Sequence, residues 1–385
     1  MEKFIIEPEA KVEVIDHADV LVAGGGPAGI AAAVAAARAG AGRVVLLERY
    51  NHLGGMATGG QVILIPSLSY MKTMMIKGVM LEAVSRLEAI PNGYFGPRRE
   101  IMGSDDPQCV EKWRPYFNMT RDGYVCYGGY TDPEIFKIVL QQMAEEAGVK
   151  VYLHTLACKA ICVGDEVKGV SFESKQGRNA ILADTVIDCT GDGDIAASAG
   201  AVFQDAFKDG LRNASLGVVY RLGVEDFTKF MDYSVENSEE WERHNKKLNE
   251  ISGFPIVLFP TGRSDVAWVD NWLLGYDCLK VADLTAVEFK VRATILDVIG
   301  YINENKIPGL FPATLHDTAY QTGTRGSRRI LGKKVLTVND VYNGTDFEDV
   351  VAVLPSIEVI TSKGGLDEDC LLYTSPSPRD MRRSR

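Results

Sequence analysis

The tightest constraint on this chain is a glycine-rich turn placed directly after a short apolar run. Residues Ala18–Ala23 (ADVLVA) read as a buried strand, and Gly24-Gly25-Gly26-Pro27-Ala28-Gly29 follows without a spacer. Pro27 to Ala39 is Ala-rich, has no interior breaker beyond its first turn, and is closed by Gly40, so it reads as a helix. Val44–Leu47 is the next apolar run and ends at Glu48. Strand, turn, helix and strand therefore fall within about thirty residues, the opening unit of a doubly wound parallel sheet. Glycines at 24, 26 and 29 satisfy the GxGxxG spacing. The first permits the turn, the second lets a pyrophosphate approach the backbone, and the third lets helix and strand pack closely. Free amides at the helix start, where Ala28 and Gly29 follow Pro27, would face the phosphates. Glu48 stands 22 residues after Gly26, where an acid can accept hydrogen bonds from ribose hydroxyls. These residues predict a dinucleotide site and leave NAD and FAD both open.

A second glycine cluster, Leu53-Gly54-Gly55-Met56-Ala57-Thr58-Gly59-Gly60, comes at once. Backbone contact beyond the second strand suits an extended FAD better than NAD. A third segment, Thr185–Asp194 (TVIDCTGDGD), delivers another strand into a glycine turn that can return to the same cofactor. Its alternating aspartates lack a Glu at the twelfth position of a loop starting at Asp188, so no calcium loop is expected.

Elsewhere the pattern is less regular. Lys77–Leu87 reads as a helix within a Pro/Gly/Tyr-rich stretch, and Thr131-Asp132-Pro133-Glu134 offers a capping box for the helix that follows. Residues 149–188 form short β-rich runs separated by glycine turns, a meander feeding a final buried strand, and His154 is expected within a strand. Residues 202–260 mix strands with a charged helix, and Leu284–Glu304 reads as a long helix.

Composition excludes several classes. Of 385 residues, 46% are hydrophobic and 24% charged, so the chain is globular rather than disordered, and its length suits two or three lobes. Arg38 interrupts the Ala-rich stretch, no apolar run is long enough for a membrane span, and no secretory leader is visible, so a cytoplasmic protein is expected. The balance of 41 Lys+Arg against 52 Asp+Glu opposes nucleic-acid binding. The 7 cysteines are scattered and include no CxxC pair, which argues for reduced thiols and against a zinc site; no metal is expected. The final stretch, CLLYTSPSPRDMRRSR from Cys370 to Arg385, changes character abruptly. It resembles translated sequencing-adapter read-through and is set aside as a non-native tail, with the native reading cut near Asp369.

Taken together, GGGPAG, LERYNHLGGMATGG, TDPEIFK, AEEAGVKVYLHT, VIDCTGDGDIAASAGA and GTRGSRRILGKKVLTVNDV resemble the FAD-dependent oxidoreductases related to the flavoprotein component of heterodisulfide reductase. The likeness covers most of residues 16–365. It implies an α/β fold, a glutathione-reductase-like FAD-binding Rossmann domain with an inserted α+β cap or substrate domain. FAD would be lined by Gly24, Gly26, Pro27, Ala28, Gly29, Glu48, Arg49, Gly55, Thr58, Thr190, Gly191 and Asp192, with Ala157 a weaker backbone contact. The glycine/alanine-rich C-terminal segment of such proteins is missing. So is a cysteine pair at the second glycine loop, where Met56 and Ala57 stand. A 4Fe-4S cluster, seen in heterodisulfide reductase relatives, is not supported by the cysteine spacing.

The Gly323–Arg329 segment (GTRGSRR) is the most suggestive one outside the nucleotide site. Arg325 and Arg328 are candidates for holding a substrate carboxylate or charge developing at the flavin, and His316 for moving a proton. Expected lobes are an FAD domain from 1–70, 126–201 and 320–369, and a cap from 71–125 and 202–319. The expected function is hydride or electron transfer between FAD and a small organic substrate. Two alternatives stand beside it: an electron-transfer subunit serving an iron–sulfur partner protein, and a flavin-dependent RNA-modifying protein, which the acidic balance disfavours.

Overall fold

A computed structural model of the chain describes residues 11–209 and 215–335, together with Ile5 and scattered positions between 337 and 348. The tail expected to be non-native and the expected cut near Asp369 fall outside the described residues. The chain divides into two compact units, residues 1–53 with 141–202, and residues 54–140 with 203–385. The sequence-based expectation places lobe boundaries at 70/71, 125/126, 201/202 and 319/320.

The first unit is built on a six-stranded sheet. Its strands are β1 (Glu13–Ala23), β2 (Val44–Leu47), β3 (Lys150–Tyr152), β4 (Leu156–Val163), β5 (Glu166–Ser174) and β6 (Gly177–Asp188), in the order β3-β2-β1-β6-β5-β4. β3, β2, β1 and β6 run parallel, while β4, β5 and β6 form an antiparallel meander. The last strand of the meander thus returns to the centre of the sheet, beside β1. All four residues of β2 are buried, as expected of a parallel strand covered on both faces. Helix α1 (Pro27–Arg38) buries Gly29, Ile30, Ala33 and Val34. One apolar cluster joins Leu21, Ala23, Val45 and Leu47 to Phe172, Ile181 and Ile195, the last on helix α2 (Asp194–Ser198).

His154 departs from its expected place in a strand. It follows β3 with a left-handed φ of 58° and donates its amide to the Tyr50 carbonyl, which makes it a turn residue.

The second unit centres on a four-stranded antiparallel sheet. β7 (Tyr220–Gly223), β8 (Ile256–Pro260), β9 (Val266–Asn271) and β10 (Thr314–Thr318) take the order β8-β9-β7-β10. Helix α3 (Val281–Glu304) buries Val287, Val291, Ile295, Val298 and Ile302 at helical spacing, in the same cluster as Tyr220, Leu222, Trp268 and Val269. The helix starts three residues before the sequence pattern suggests. The expected helix at 77–87 spans Val79–Glu88, and the 202–260 region holds two helices, Phe227–Glu236 and Ser238–Ser252. At the helix Pro133–Glu146 the cap is Asp132, whose Oδ1 accepts the amides of Glu134 and Ile135, each at 2.9 Å. Thr131 instead donates its hydroxyl to the Ile63 carbonyl. Among the described residues no helix is long and apolar enough to cross a membrane.

Leu21 has no exposed surface and lies mid-sheet in the first unit. Leu21→Ala should lower stability by about 3 kcal/mol through lost burial and the cavity left behind. A urea titration would read this as a lower midpoint at unchanged slope.

Candidate functional site

In the first unit three strand ends converge. Ala23 is level with Leu47 of β2 and Asp188 of β6. Just beyond, the Gly24 amide donates to the Leu47 carbonyl and the Cys189 amide to the Ala23 carbonyl, both at 2.8 Å. This places the first glycine turn beside the Cys189–Gly191 turn.

The glycines of the motif serve different ends. Gly24 has φ of 102°, and a Cβ there would overlap the Cys189 carbonyl. A Cβ on Gly29 would overlap the Gly24 carbonyl oxygen, so this glycine lets α1 start against the strand end. Gly26 differs from both. Its φ is −66° and its ψ −175°, a conformation any residue adopts, and a Cβ would meet nothing within 4 Å. No internal packing demands a glycine at 26; the open space in front of it is room for a ligand to reach the main chain. Gly26 is also the N-cap of α1, no side chain caps that end, and no acid occupies its first turn. Helix-start amides without a capping side chain favour an anion there.

Glu48 is buried, with both carboxylate oxygens held by main-chain amides: Gly25 donates to Oε2 at 2.7 Å and Tyr50 to Oε1 at 2.8 Å. A Cβ on Gly25 would come within 2.9 Å of Oε2 and 2.8 Å of Leu53, so this glycine makes room for the acid. The Glu48 carbonyl accepts the amide of Thr155 at 2.9 Å. Each carboxylate oxygen keeps a lone pair for a further donor. Arg49 is exposed, its guanidinium 4.9 Å from the Tyr50 ring centre.

At the third turn Thr190 donates its hydroxyl to Asp188 Oδ1 at 2.7 Å and accepts the Asp194 amide at 2.9 Å. Asp188 Oδ2 accepts the Ala196 amide at 2.8 Å. These side chains lock the turn internally, while Gly191, at φ of 90°, has open space where a Cβ would be. Gly191 therefore offers backbone, and Asp192 follows it. Ala157 lies in β4 opposite Phe172, within the sheet.

The remaining predicted residues belong to the second unit. Gly55 opens a single 3-10 turn, Gly55–Ala57, and the Thr58 side chain is buried with its hydroxyl on the Gly55 carbonyl at 3.4 Å. This turn packs on the chain after β10, where the Tyr320 amide donates to the Gly59 carbonyl at 2.8 Å. It leads into a polar set that sequence reasoning missed. Gln61 is fully buried at φ of 55° and donates its Nε2 to Asp317 Oδ1 at 3.0 Å. Arg221 donates Nε to the same oxygen at 2.9 Å and Nη2 to Asp317 Oδ2. Burial alone would raise the Asp317 carboxyl, but the hydrogen bonds and charge of Arg221, with Gln61, hold it below the usual carboxylate range. An ionised carboxylate only accepts, so Gln61 must turn its amide nitrogen toward Asp317 and its carbonyl away.

The three candidate catalytic residues sit in separate surroundings. His316 is exposed in β10, close enough for its charge to favour ionised Asp317 and Asp265. Arg328 pairs across a short ladder with Asp205, its guanidinium 5.5 Å from the Phe203 ring centre. Arg325 is exposed, donates its amide to the Ser215 carbonyl, and acts electrostatically on Asp270 of β9. Burial pushes the Asp270 carboxyl up to about 6, and the Asn271 amide and the Arg325 charge only partly offset it. Among the described residues no three His, Cys, Asp or Glu side chains are grouped to hold a metal ion.

Comparison with known proteins decides the family. The family model described as FAD dependent oxidoreductase matches residues 19–365. The chain belongs to the FAD-dependent oxidoreductase family, and its cofactor is FAD. No curated protein sequence matches it. Among solved structures it is similar to a myxobacterial chondrochloren halogenase, at 16% identity over 82% of this chain and 64% of that one, with a TM-score of 0.45. It is also similar to a geranylgeranyl bacteriochlorophyll reductase-like protein of Thermoplasma acidophilum, at 17% identity over 80% of this chain and 66% of that one, TM-score 0.44. A third is the p-nitrophenol 4-monooxygenase of Pseudomonas putida DLL-E4, at 13% identity over 82% and 68%, TM-score 0.45. The chain thus spans just under two thirds of the length of the first two.

Two outcomes follow from this geometry. Gly29→Ala should unfold or severely destabilise the first unit, whereas Gly26→Ala should leave its melting temperature unchanged or slightly raised, since alanine fits that conformation. Thermal melts of the two variants check the contrast. For Asp270 the folded-state pKa lies above the ordinary carboxylate value, so its contribution favours folding at low pH. It is lost as pH rises from about 4 to 6, at a cost on the order of 3 kcal/mol. Asp270→Asn should remove that component from the stability–pH curve.

Proposed function

We propose that the first unit is a glutathione-reductase-like nucleotide domain that holds FAD along its glycine turns, and that the chain oxidises or reduces a small organic substrate. The observation that carries this reading is the contrast among the motif glycines: 24 and 29 are demanded by backbone contacts, while 26 faces open space at an uncapped helix start. A pyrophosphate suits that position by size and by charge.

In this reading the amides from Ala28 onward and the α1 dipole bind the phosphates, and Gly26 permits their approach. Glu48, immobilised by Gly25 and Tyr50, accepts from the adenosine ribose, with Arg49 alongside. Backbone at Ala157 meets the adenine. Gly191 and Asp192, beside the Thr190–Asp188 lock, offer main chain to the same cofactor. When bound, the flavin supplies the two-electron redox chemistry, and the protein orients it. Arg325 and Arg328 remain proposed as anchors for an anionic substrate group, and His316 as a proton carrier from an exposed strand position. The raised Asp270 carboxyl beside Arg325 adds a group able to hold or release a proton near neutral pH.

A closer kinship with the heterodisulfide reductase flavoproteins would add electron transfer to an iron–sulfur partner. Among the described residues no cysteines are gathered with other ligands, so no donor set there favours that role over an organic substrate.

The purified protein should be yellow, with a band near ~450 nm from oxidised flavin. Gly26→Val should reduce FAD affinity by on the order of a hundredfold or more while the fold persists, because the side chain occupies the phosphate approach. Fluorescence titration of apoprotein with FAD reads both; equal affinity in the variant would remove the site from this turn.

A further inference from the structure

Helix α3 carries two apolar stripes on opposite sides. The buried one, Val287, Val291, Ile295, Val298 and Ile302, faces the core of the second unit. The other consists of Ala282, Ala286, Phe289, Ala293, Leu296 and Gly300, spaced alternately four and three residues apart. At 100° per residue these six fall within about 80° of one another and opposite the buried stripe. The first five are exposed, Phe289 at 74% and Leu296 at 70%. A solvated helix face has no need of a four–three apolar repeat. This is the spacing of a helix-pairing seam, with small residues at one position (Ala286, Ala293, Gly300) and the large knobs Phe289 and Leu296 at the other.

The charges beside the seam choose the partner and its direction. On one flank stand Asp283, Lys290 and Asp297, on the other Thr285, Arg292 and Ile299. An antiparallel copy in full overlap would set Arg292 near Arg292, Lys290 near Lys290 and Asp283 near Asp297, all like charges. A parallel copy sets Arg292 against Asp297 of the second chain, five positions on, and two-fold symmetry makes the pair twice. Asp297 is exposed and makes no ion pair or hydrogen bond among the described residues. Arg292 already reaches Glu288 through Nη1, and its guanidinium keeps other donors for a second acid.

We propose that this outer face of α3 is a self-association surface, on which a second copy of the chain packs through the same helix in parallel. The 24-residue helix is about 36 Å long, so the contact buries roughly 1,000 Å² in total. That is the lower bound for a specific interface and places the dimer in the micromolar range rather than among obligate ones.

Sedimentation equilibrium of the FAD-loaded full chain from roughly 1 to 100 μM tests this. The expected result is a reversible monomer–dimer equilibrium, with Phe289→Glu and Leu296→Glu each raising the dimer Kd by at least about tenfold at unchanged melting temperature. Arg292→Asp and Asp297→Arg should each weaken the dimer, and the double variant Arg292→Asp/Asp297→Arg should restore it, a rescue that only the parallel register provides. A monomer throughout the range, a dimer indifferent to Phe289→Glu, or a double variant weaker than both singles would each overturn the proposal. A fall in melting temperature on Leu296→Glu without change in mass would do the same, because it would mean that this chain covers the face itself.

Discussion

Both oxygens of Glu48 are committed to main-chain amides, Gly25 on one and Tyr50 on the other, at the point where three parallel strands end. Without that acid the Gly25 and Tyr50 amides would lose their acceptor, each at a cost of about 1–3 kcal/mol, and the first turn would be tied to β2 only through the Gly24 amide. The arrangement extends both ways. The Glu48 carbonyl takes the Thr155 amide, tying the entry to β4, and Gly24 hangs from the Leu47 carbonyl. This side chain, together with the main-chain bond from Gly24 to Leu47, holds the turn in which Gly26 faces open space. The acid acts as a fastener of the backbone before it acts on any nucleotide.

What can be read in the sequence follows from how local each feature is. The strand–turn–helix–strand unit and the meander of residues 149–188 rest on contiguous patterns of apolar and glycine residues, and the sheet contains both. The packing roles expected of Gly24 and Gly29 also match, although only coordinates distinguish a glycine forced by contacts from one, such as Gly26, that faces open space. Sequence and structure part where two local signals compete. Thr131 and Asp132 are both plausible caps, and the carboxylate takes the helix amides while the threonine turns to Ile63. His154 looks like a strand residue by its neighbours, yet the turn toward Tyr50 needs a left-handed backbone there.

The polar set in the second unit is invisible for a different reason. Asp317 meets Arg221 across 96 positions of chain and Gln61 across 256, and no periodicity links them. They meet because β7 and β10 are neighbours in register, Arg221 directly opposite Asp317. Likewise, nothing in the string VAWVDN reveals that burial in β9 pushes the carboxyl of its aspartate up to about 6. The GTRGSRR segment illustrates the converse, a conspicuous motif whose members part company in space. Arg325 acts on Asp270, and Arg328 stacks on Phe203 beside Asp205.

Because two amides pin it, the Glu48 carboxylate cannot swing aside to admit a competing anion. In the reading proposed above, where Glu48 accepts from the adenosine ribose, an extra phosphate on that sugar would bring like charge against a fixed negative group with no rearrangement available to relieve it. Discrimination between sugars would then come from rigidity rather than from an added contact.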